Sequence, residues 1–393
     1  MKYLTPSVQS YCLCLAMIVY GVFSSPTPDT IGLPEIMVAV LLCLSFRLIA
    51  ESNRPLSWVV LGYGVSIPTL VAMINGNHPG DIIRDMVPFF YLMMPIFLGW
   101  IALTYPHRFL MCLAGIGIIF SVRTILAYQQ ILLTPALWGQ GPPADLLYLA
   151  NSPEVLFSAL YCMAEGGRNM MSGGRWLKGF VIATLSILPI IAMALMTQRA
   201  GVGAVMIYIM ITVCLVTYHR PKWGMIFGLL LLAAGVVVWP VFEPVLVLLR
   251  QKTEIVGLNA RTQEWSAVLT ILSDGWANLL FGEGWGGRIE NPAVGGLNVN
   301  YTHSLVSSLL LKTGLVGAVA ILTACLWPVF KALKGQLAQK PRFDLAILGA
   351  AIFPLLISVF LYASYKSLGF GLILLVFFIF PIRKLEKNTQ SVR

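Results

Sequence analysis

The chain has 393 residues, of which 58% are hydrophobic and only 11% charged, with a mean hydropathy of +0.83. Soluble domains are near half apolar and a quarter charged, so a soluble globular enzyme is excluded, and at ~20 residues per spanning helix no room is left for a separate soluble domain. The net charge of +10 comes from 26 Lys and Arg against 16 Asp and Glu, and on a membrane chain such an excess marks cytoplasmic loops rather than a nucleic-acid partner.

Taken in order, apolar runs bounded by Pro, Gly and charge predict about twelve spans. They lie near 11–24, 34–50, 56–75, 86–104, 109–127, 153–164, 177–197, 200–218, 224–242, 304–328, 345–363 and 367–382. Lys2 ahead of the run from Tyr11 to Phe23 has the outline of a secretion signal, but the many spans that follow predict an uncleaved first helix. Basic residues such as Arg47, Arg108, Arg168, Lys331 and Arg383 then gather on one side, which predicts both termini in the cytoplasm. The seven cysteines fall in or beside apolar runs, without disulfide or zinc spacing, and read as packing residues. The expected fold class is an all-α polytopic membrane protein, one integral membrane domain over 1–393.

One connection, 243–303, is far longer than the rest and is the expected working surface on the outer side. Within it Trp265, Val268, Leu269, Leu272, Trp276 and Leu279 recur at helical spacing. They predict a helix over about 261–280 along the membrane interface, apolar stripe inward. Arg261 falls on that stripe, and a guanidinium facing a bundle asks for an anionic partner.

Gly282-Glu283-Gly284-Trp285-Gly286-Gly287 contains G-x-G-x-x-G without the flanking strand and helix that a dinucleotide site needs. Neither a Gly-Lys-Ser/Thr loop, nor H-E-x-x-H, nor a D-x-D-like pair occurs, and no metal or other cofactor is expected. What stands out is a set of outer cations: Arg199 in the tight hairpin Thr197–Gly201, Arg261, Arg288 after the Gly-rich turn, Arg84, and Arg123 near the end of the fifth span. Guanidinium forks match phosphate oxygens bidentately, so several converging on one cavity hold a pyrophosphate. For Arg84, Arg123 and Arg288 an ordinary ion-paired or interfacial arginine is an equal reading. His303, at the outer start of a span, is either a base for an acceptor hydroxyl or a helix-capping residue. Lys366, in the last outer loop, snorkels or touches a lipid phosphate.

The order Thr197-Gln198-Arg199, Arg261 to Trp265, Gly282-Glu283-Gly284, and His303-Ser304 with Gly314-Leu315-Val316-Gly317 resembles the O-antigen ligase and polymerase superfamily of bacterial membrane glycosyltransferases. It covers about a third of the chain. The resemblance implies a helical architecture of the lipid-dependent glycosyltransferase type, in the bacterial inner membrane, with the active site on the periplasmic face. It implies a donor glycan on undecaprenyl pyrophosphate, transferred with inversion and without metal to lipid A-core. Arg199 and Arg261 would then grip the pyrophosphate, and His303 would activate the acceptor hydroxyl. Arg84, Arg123, Arg288 and Lys366 are further substrate-binding candidates by location alone. Two rivals remain: a polymerase passing the same donor to a lipid-linked glycan, and a transporter or lipid flippase.

Overall fold

The computed structural model describes residues 4–26, 32–47, 55–133, 144–171, 175–219, 261–337 and 343–390, with a few positions between 221 and 247. These residues form an all-α membrane protein. In order the helices are α1 Pro6–Phe23, α2 Leu33–Ser45, α3 Pro55–Ile74, α4 Pro79–Leu92, α5 Met94–Thr104, α6 Pro106–Leu133, α7 Ala144–Ala150 and α8 Pro153–Met171. There follow α9 Trp176–Leu185, α10 Ile187–Leu195, α11 Arg199–His219, α12 Arg261–Ser273, α13 Trp276–Phe281, α14 Leu305–Leu337, α15 Phe343–Phe360 and α16 Leu368–Gln390.

Local chemistry sets several boundaries. Thr5 and His78 stand before helices that open with proline, and each side chain accepts a bond from a first-turn amide. Pro79–Thr104 is one apolar rod broken at Met93, and Trp176–Leu195 one broken at Ser186.

Among the described residues seven helices are long and apolar enough to cross a bilayer: Pro6–Phe23, Leu56–Ile74, Pro79–Thr104, Pro106–Ile131, Trp176–Leu195, Arg199–Tyr218 and Leu305–Gln336. Leu33–Ser45, Leu345–Phe360 and Leu368–Ile379 are shorter apolar helices. Most of the expected span 224–242, and residues 248–260 with Arg250 and Lys252, lie outside the described residues. The expected short span at 153–164 is instead part of α8, which packs between α6, α9 and α15 and buries Glu154 and Ser158 along with its apolar residues. A helix enclosed by protein has no need of an all-apolar surface.

The hydrophobic core centres on α16. Leu372, Ile373, Leu375, Val376 and Phe377 are fully buried all round that helix, the pattern of an element enclosed by others. Outward faces carry Val59, Met73, Phe180, Met206, Met210 and Phe330, apolar and exposed. Such an exposed apolar surface is a hazard in water and a match for lipid.

The helix expected over 261–280 is two helices, α12 and α13, separated at Gly275. Its inward stripe is Glu264, Val268 and Leu272, four residues apart, while Leu269 and Trp276 are exposed. The break resets the register, so Trp276 does not continue the stripe.

The Gly-rich loop that follows clasps three helices. The Glu283 amide donates to Leu311 O of α14 at 2.8 Å, the Trp285 amide to Pro68 O of α3 at 3.1 Å, and the Gly286 amide to Asp85 of α4 at 2.7 Å. Gly284 has φ +76, and a Cβ there would meet Ala72 N at 2.3 Å. Gly314 interrupts α14 with φ 61, and its Cβ would meet the Leu280 carbonyl at 2.4 Å. A two-stranded antiparallel hairpin, β1 Ile289–Asn291 with β2 Leu297–Val299, then delivers the chain to the start of α14.

Gly314→Ala is therefore expected to destabilise the protein by about 1 to 3 kcal/mol or more, since left-handed backbone and a backbone clash coincide. Gly115→Ala, mid-helix with nothing within 4 Å of the new methyl, is expected to be neutral or stabilising. Thermal unfolding of the detergent-solubilised variants measures this, and equal midpoints would contradict the role given to Gly314.

Candidate functional site

Glu264, in the first turn of α12, is nearly inaccessible, with its side chain 2% exposed. Its oxygens receive the His303 backbone amide at 2.8 Å, His303 Nδ1 at 2.6 Å and Asn291 Nδ2 at 3.0 Å. Burial pushes the Glu264 carboxyl above the usual carboxylate range, and the Asn291 amide and the Arg261 guanidinium pull the other way. Held at both its backbone and Nδ1, the His303 ring is fixed in orientation. With Nδ1–H donating to the carboxylate, Nε2 is left as an acceptor. The ring packs edge-on against Tyr301, centroids 5.8 Å apart. Behind it Ser307 Oγ donates to Thr302 Oγ1 at 2.8 Å, and Tyr365 OH donates to Thr302 O at 3.2 Å, which pins the strand leading into α14.

Arg261, one helical turn before Glu264, is half-buried, and its Nη1 is sealed from solvent with no hydrogen-bond partner among the described residues. Burial pulls this guanidinium below its ordinary value, opposed by Glu264 and Tyr362 and reinforced by Arg199. Arg199 and Arg261 are thus within electrostatic range of each other and of Tyr362, whose phenol is pushed up by burial and drawn down by both arginines. Arg199 starts α11 two residues after Thr197, the described non-glycine residue with a left-handed backbone, φ 51. Strain of that kind costs ~1 to 3 kcal/mol and persists only where the surroundings impose it. Here the Gln198 amide is tied to Met193 O at 2.9 Å, and the turn carries Arg199 to the end of the bundle. Beside it lies a narrow cleft, with about 20 Å³ of water-accessible space, that has Asn151, Ser152, Gln198, Ser358, Tyr362 and Ser364 in its lining.

A second group of charges surrounds the 3-10 turn Ala363–Lys366. Lys312, buried in α14, donates to Asp85 of α4 at 2.5 Å and to Gly287 O at 2.7 Å. Lys366 Nζ stands over the Tyr301 ring at 5.3 Å. Burial, together with Lys312 and Arg84, brings Lys366 from 10.5 down to about 8, against the pull of Asp85 and Asp81. Arg84 is exposed on α4 and acts on both Tyr301 and Lys366.

Of the cations singled out in the sequence, Arg199, Arg261, Arg84 and Lys366 reach one end of the bundle around His303. Two others have protein partners. Arg123 Nη1 donates to Gly21 O at 2.8 Å and Ser24 O at 2.7 Å, capping the end of α1, because the last carbonyls of a helix need donors. Arg288 forms a bidentate pair with Asp81, at 3.1 and 2.7 Å. Both are engaged by protein groups in this structure.

Sequence reasoning missed Glu264, Asp85, Asp81 and Tyr362. Glu264 had a usable signal in the three-residue spacing from Arg261 on one helix face. Lys312 implied a carboxylate somewhere, since a lone cation within a span requires one, but nothing in the sequence identified it as Asp85. Among the described residues no three His, Cys, Asp or Glu side chains converge as a metal-ligand set.

The lowered Lys366 has a defined consequence for stability. Between about 8 and 10.5 the folded protein releases this proton while the unfolded chain keeps it, so stability rises with pH across that window. Lys366 faces Asp85, Asp81, Arg84, Lys312, Tyr301 and Tyr365. A Lys366→Met variant should lose this rise, measured as the difference in Tm between pH 7.5 and pH 10 against wild type. Identical pH dependence would show that Lys366 is solvated.

In comparison with known proteins, the chain matches no protein-family model, and no curated protein matches it significantly.

Proposed function

We propose that this protein is a glycosyltransferase of the O-antigen ligase type, moving a polysaccharide from undecaprenyl pyrophosphate to lipid A-core at the periplasmic face of the bacterial inner membrane. The observation that carries the reading is Arg261: a guanidinium with a sealed, partnerless Nη1, beside a second arginine, against a fixed His–Glu pair. Arg261 is partly buried and within electrostatic range of a second cation, and a polyanion seated against it relieves both the desolvation and the repulsion.

The chemistry follows from the placement. An acceptor hydroxyl donates its proton to His303 Nε2 as its oxygen attacks the anomeric carbon. The bond from that carbon to the pyrophosphate breaks, its electron pair leaves on the diphosphate, and the configuration inverts. Arg199 and Arg261 stabilise the charge as it develops, and they are in place before the reaction starts. Glu264 stabilises the imidazolium that results and maintains the tautomer that makes Nε2 basic. Asn291, bonded to both Glu264 and Tyr301 O, holds the carboxylate in position.

The test is transfer by the purified protein reconstituted with an undecaprenyl-pyrophosphate glycan and a lipid A-core acceptor. Product on lipid A-core is expected. Longer lipid-linked chains would instead make it a polymerase, and no transfer, with lipid or solute moved across the bilayer, would remove the enzyme reading. Arg199→Lys and Arg261→Lys should each lose about 2 to 4 kcal/mol of transition-state stabilisation, because an ammonium does not reproduce the bidentate fork. Glu264→Gln should cost ~100-fold or more in kcat with little change in donor KM. Near wild-type turnover in Arg261→Lys would contradict the role assigned to it.

A further inference from the structure

Three tyrosines lie at this end of the bundle, and their surroundings differ. Tyr365 is buried, and its hydroxyl is committed to Thr302 O at 3.2 Å. Tyr301 packs edge-on against His303 with Lys366 Nζ 5.3 Å from its ring centroid, and the Glu264 charge reaches its phenol. Tyr362 is the one on which both Arg199 and Arg261 act, and no carboxylate among the described residues acts on it.

The chain holds Tyr362 from both sides. Its amide and that of Leu361 donate to the same carbonyl, Ile357 O, at 3.0 and 2.8 Å, which closes the end of α15. The residue itself is extended and caps the 3-10 turn Ala363–Lys366. Ser358 and Ser364, before and after it in the chain, share a hydroxyl–hydroxyl bond of 2.8 Å. Through Tyr365 that turn is also tied to Thr302, the residue before His303. Tyr362 lines the same narrow cleft as Gln198 and Gly201, which lie on either side of Arg199 in the chain. The cleft has room for about one water and is no ligand pocket. What it establishes is that Tyr362 and the turn carrying Arg199 come together.

A phenol has one O–H to donate, and a guanidinium has no acceptor, so neither arginine can receive the Tyr362 proton. The hydroxyls of Ser358 and Ser364 are engaged with each other, and the Tyr362 hydroxyl has no hydrogen-bond partner among the described residues. With the sealed Nη1 of Arg261, two donors within electrostatic range of each other lack an acceptor. A partly buried donor beside cations is matched by an anionic oxygen.

We propose that Tyr362 is a third donor of the diphosphate site, its phenol O–H hydrogen-bonding a terminal oxygen of the same diphosphate that Arg199 and Arg261 hold. The proposal rests on the glycosyl-transfer reading and adds a binding residue to it. No proton is transferred. The phenol keeps its hydrogen while the bond from the anomeric carbon to the diphosphate breaks and the electron pair leaves on oxygen, so the hydrogen bond strengthens as charge accumulates.

Tyr362→Phe keeps the ring and removes only the hydroxyl. Because that hydroxyl has no protein partner, the variant is expected to keep the wild-type Tm, whereas loss of a structural hydrogen bond would lower it. Farnesyl pyrophosphate, titrated calorimetrically into the full-length protein in phosphatidylcholine nanodiscs, is expected to bind the variant about tenfold more weakly. The phenol's own titration gives a second readout. Without ligand the two arginines favour the phenolate; a bound diphosphate cancels that pull and accepts from the neutral phenol. The near-ultraviolet phenolate signal that Tyr362→Phe lacks should therefore move to higher pH when farnesyl pyrophosphate binds the wild type. Wild-type affinity in Tyr362→Phe, a phenolate titration that the ligand leaves in place or moves to lower pH, or a weaker affinity accompanied by a lower Tm would each overturn the assignment. These outcomes are distinct from failure of the functional reading: a wild type with no preference for diphosphate over monophosphate faults the arginine site itself, whereas a preference undiminished in Tyr362→Phe removes only Tyr362.

Discussion

A carboxylate taken out of water must be met by donors, and at this end of the bundle that requirement falls on Glu264. Its oxygens are bound by the backbone and ring of one loop residue and by the side chain of another, and its charge lies next to Arg261. Because these partners come from α12, from β1 and from the segment entering α14, satisfying one buried group locks three separated pieces of chain to each other. Removing a buried hydrogen-bonding partner costs more than forming the bond contributes, which makes such a network stringent about geometry. His303 inherits that stringency: its orientation is a by-product of the carboxylate's need for donors.

The same principle distinguishes the arginines by their partners. Arg123 and Arg288 resemble Arg199 and Arg261 in the sequence, each an arginine near the end of an apolar run. Arg261 differs from them in one respect. Arg123 Nη1 binds the carbonyls at the end of α1 and the Arg288 fork binds Asp81, whereas the buried Arg261 Nη1 has no partner among the described residues. An unpartnered donor sealed inside a protein is unfavourable unless something else occupies the place, and under the proposed function that occupant is a diphosphate.

Helical membrane architecture was legible from hydropathy, because bilayer thickness sets a length that apolar runs must meet. The runs at 153–164 and 261–280 were misjudged for opposite reasons. α8 is enclosed by neighbouring helices, so its carboxylate and serine are buried with the rest. The second run contains Gly275, which ends one helix and starts another out of register, and apolar periodicity read across it assigned Leu269 and Trp276 to the wrong face. His303, Arg199 and Arg261 could be singled out because they fall on the expected outer side, where topology does not call for a cation. Their acidic partners could not. Asp85 and Lys312 are far apart in sequence, and a residue on α4 meets one on α14 only through packing that no local pattern encodes.

The account stands or falls on whether Arg199 and Arg261 hold a diphosphate, and binding of farnesyl pyrophosphate against farnesyl monophosphate to the protein in nanodiscs addresses this without an acceptor or a turnover. The wild type should prefer the diphosphate, and Arg261→Ala should bind the two alike while still folding. A preference that is absent in the wild type, or unchanged in the variant, would contradict it.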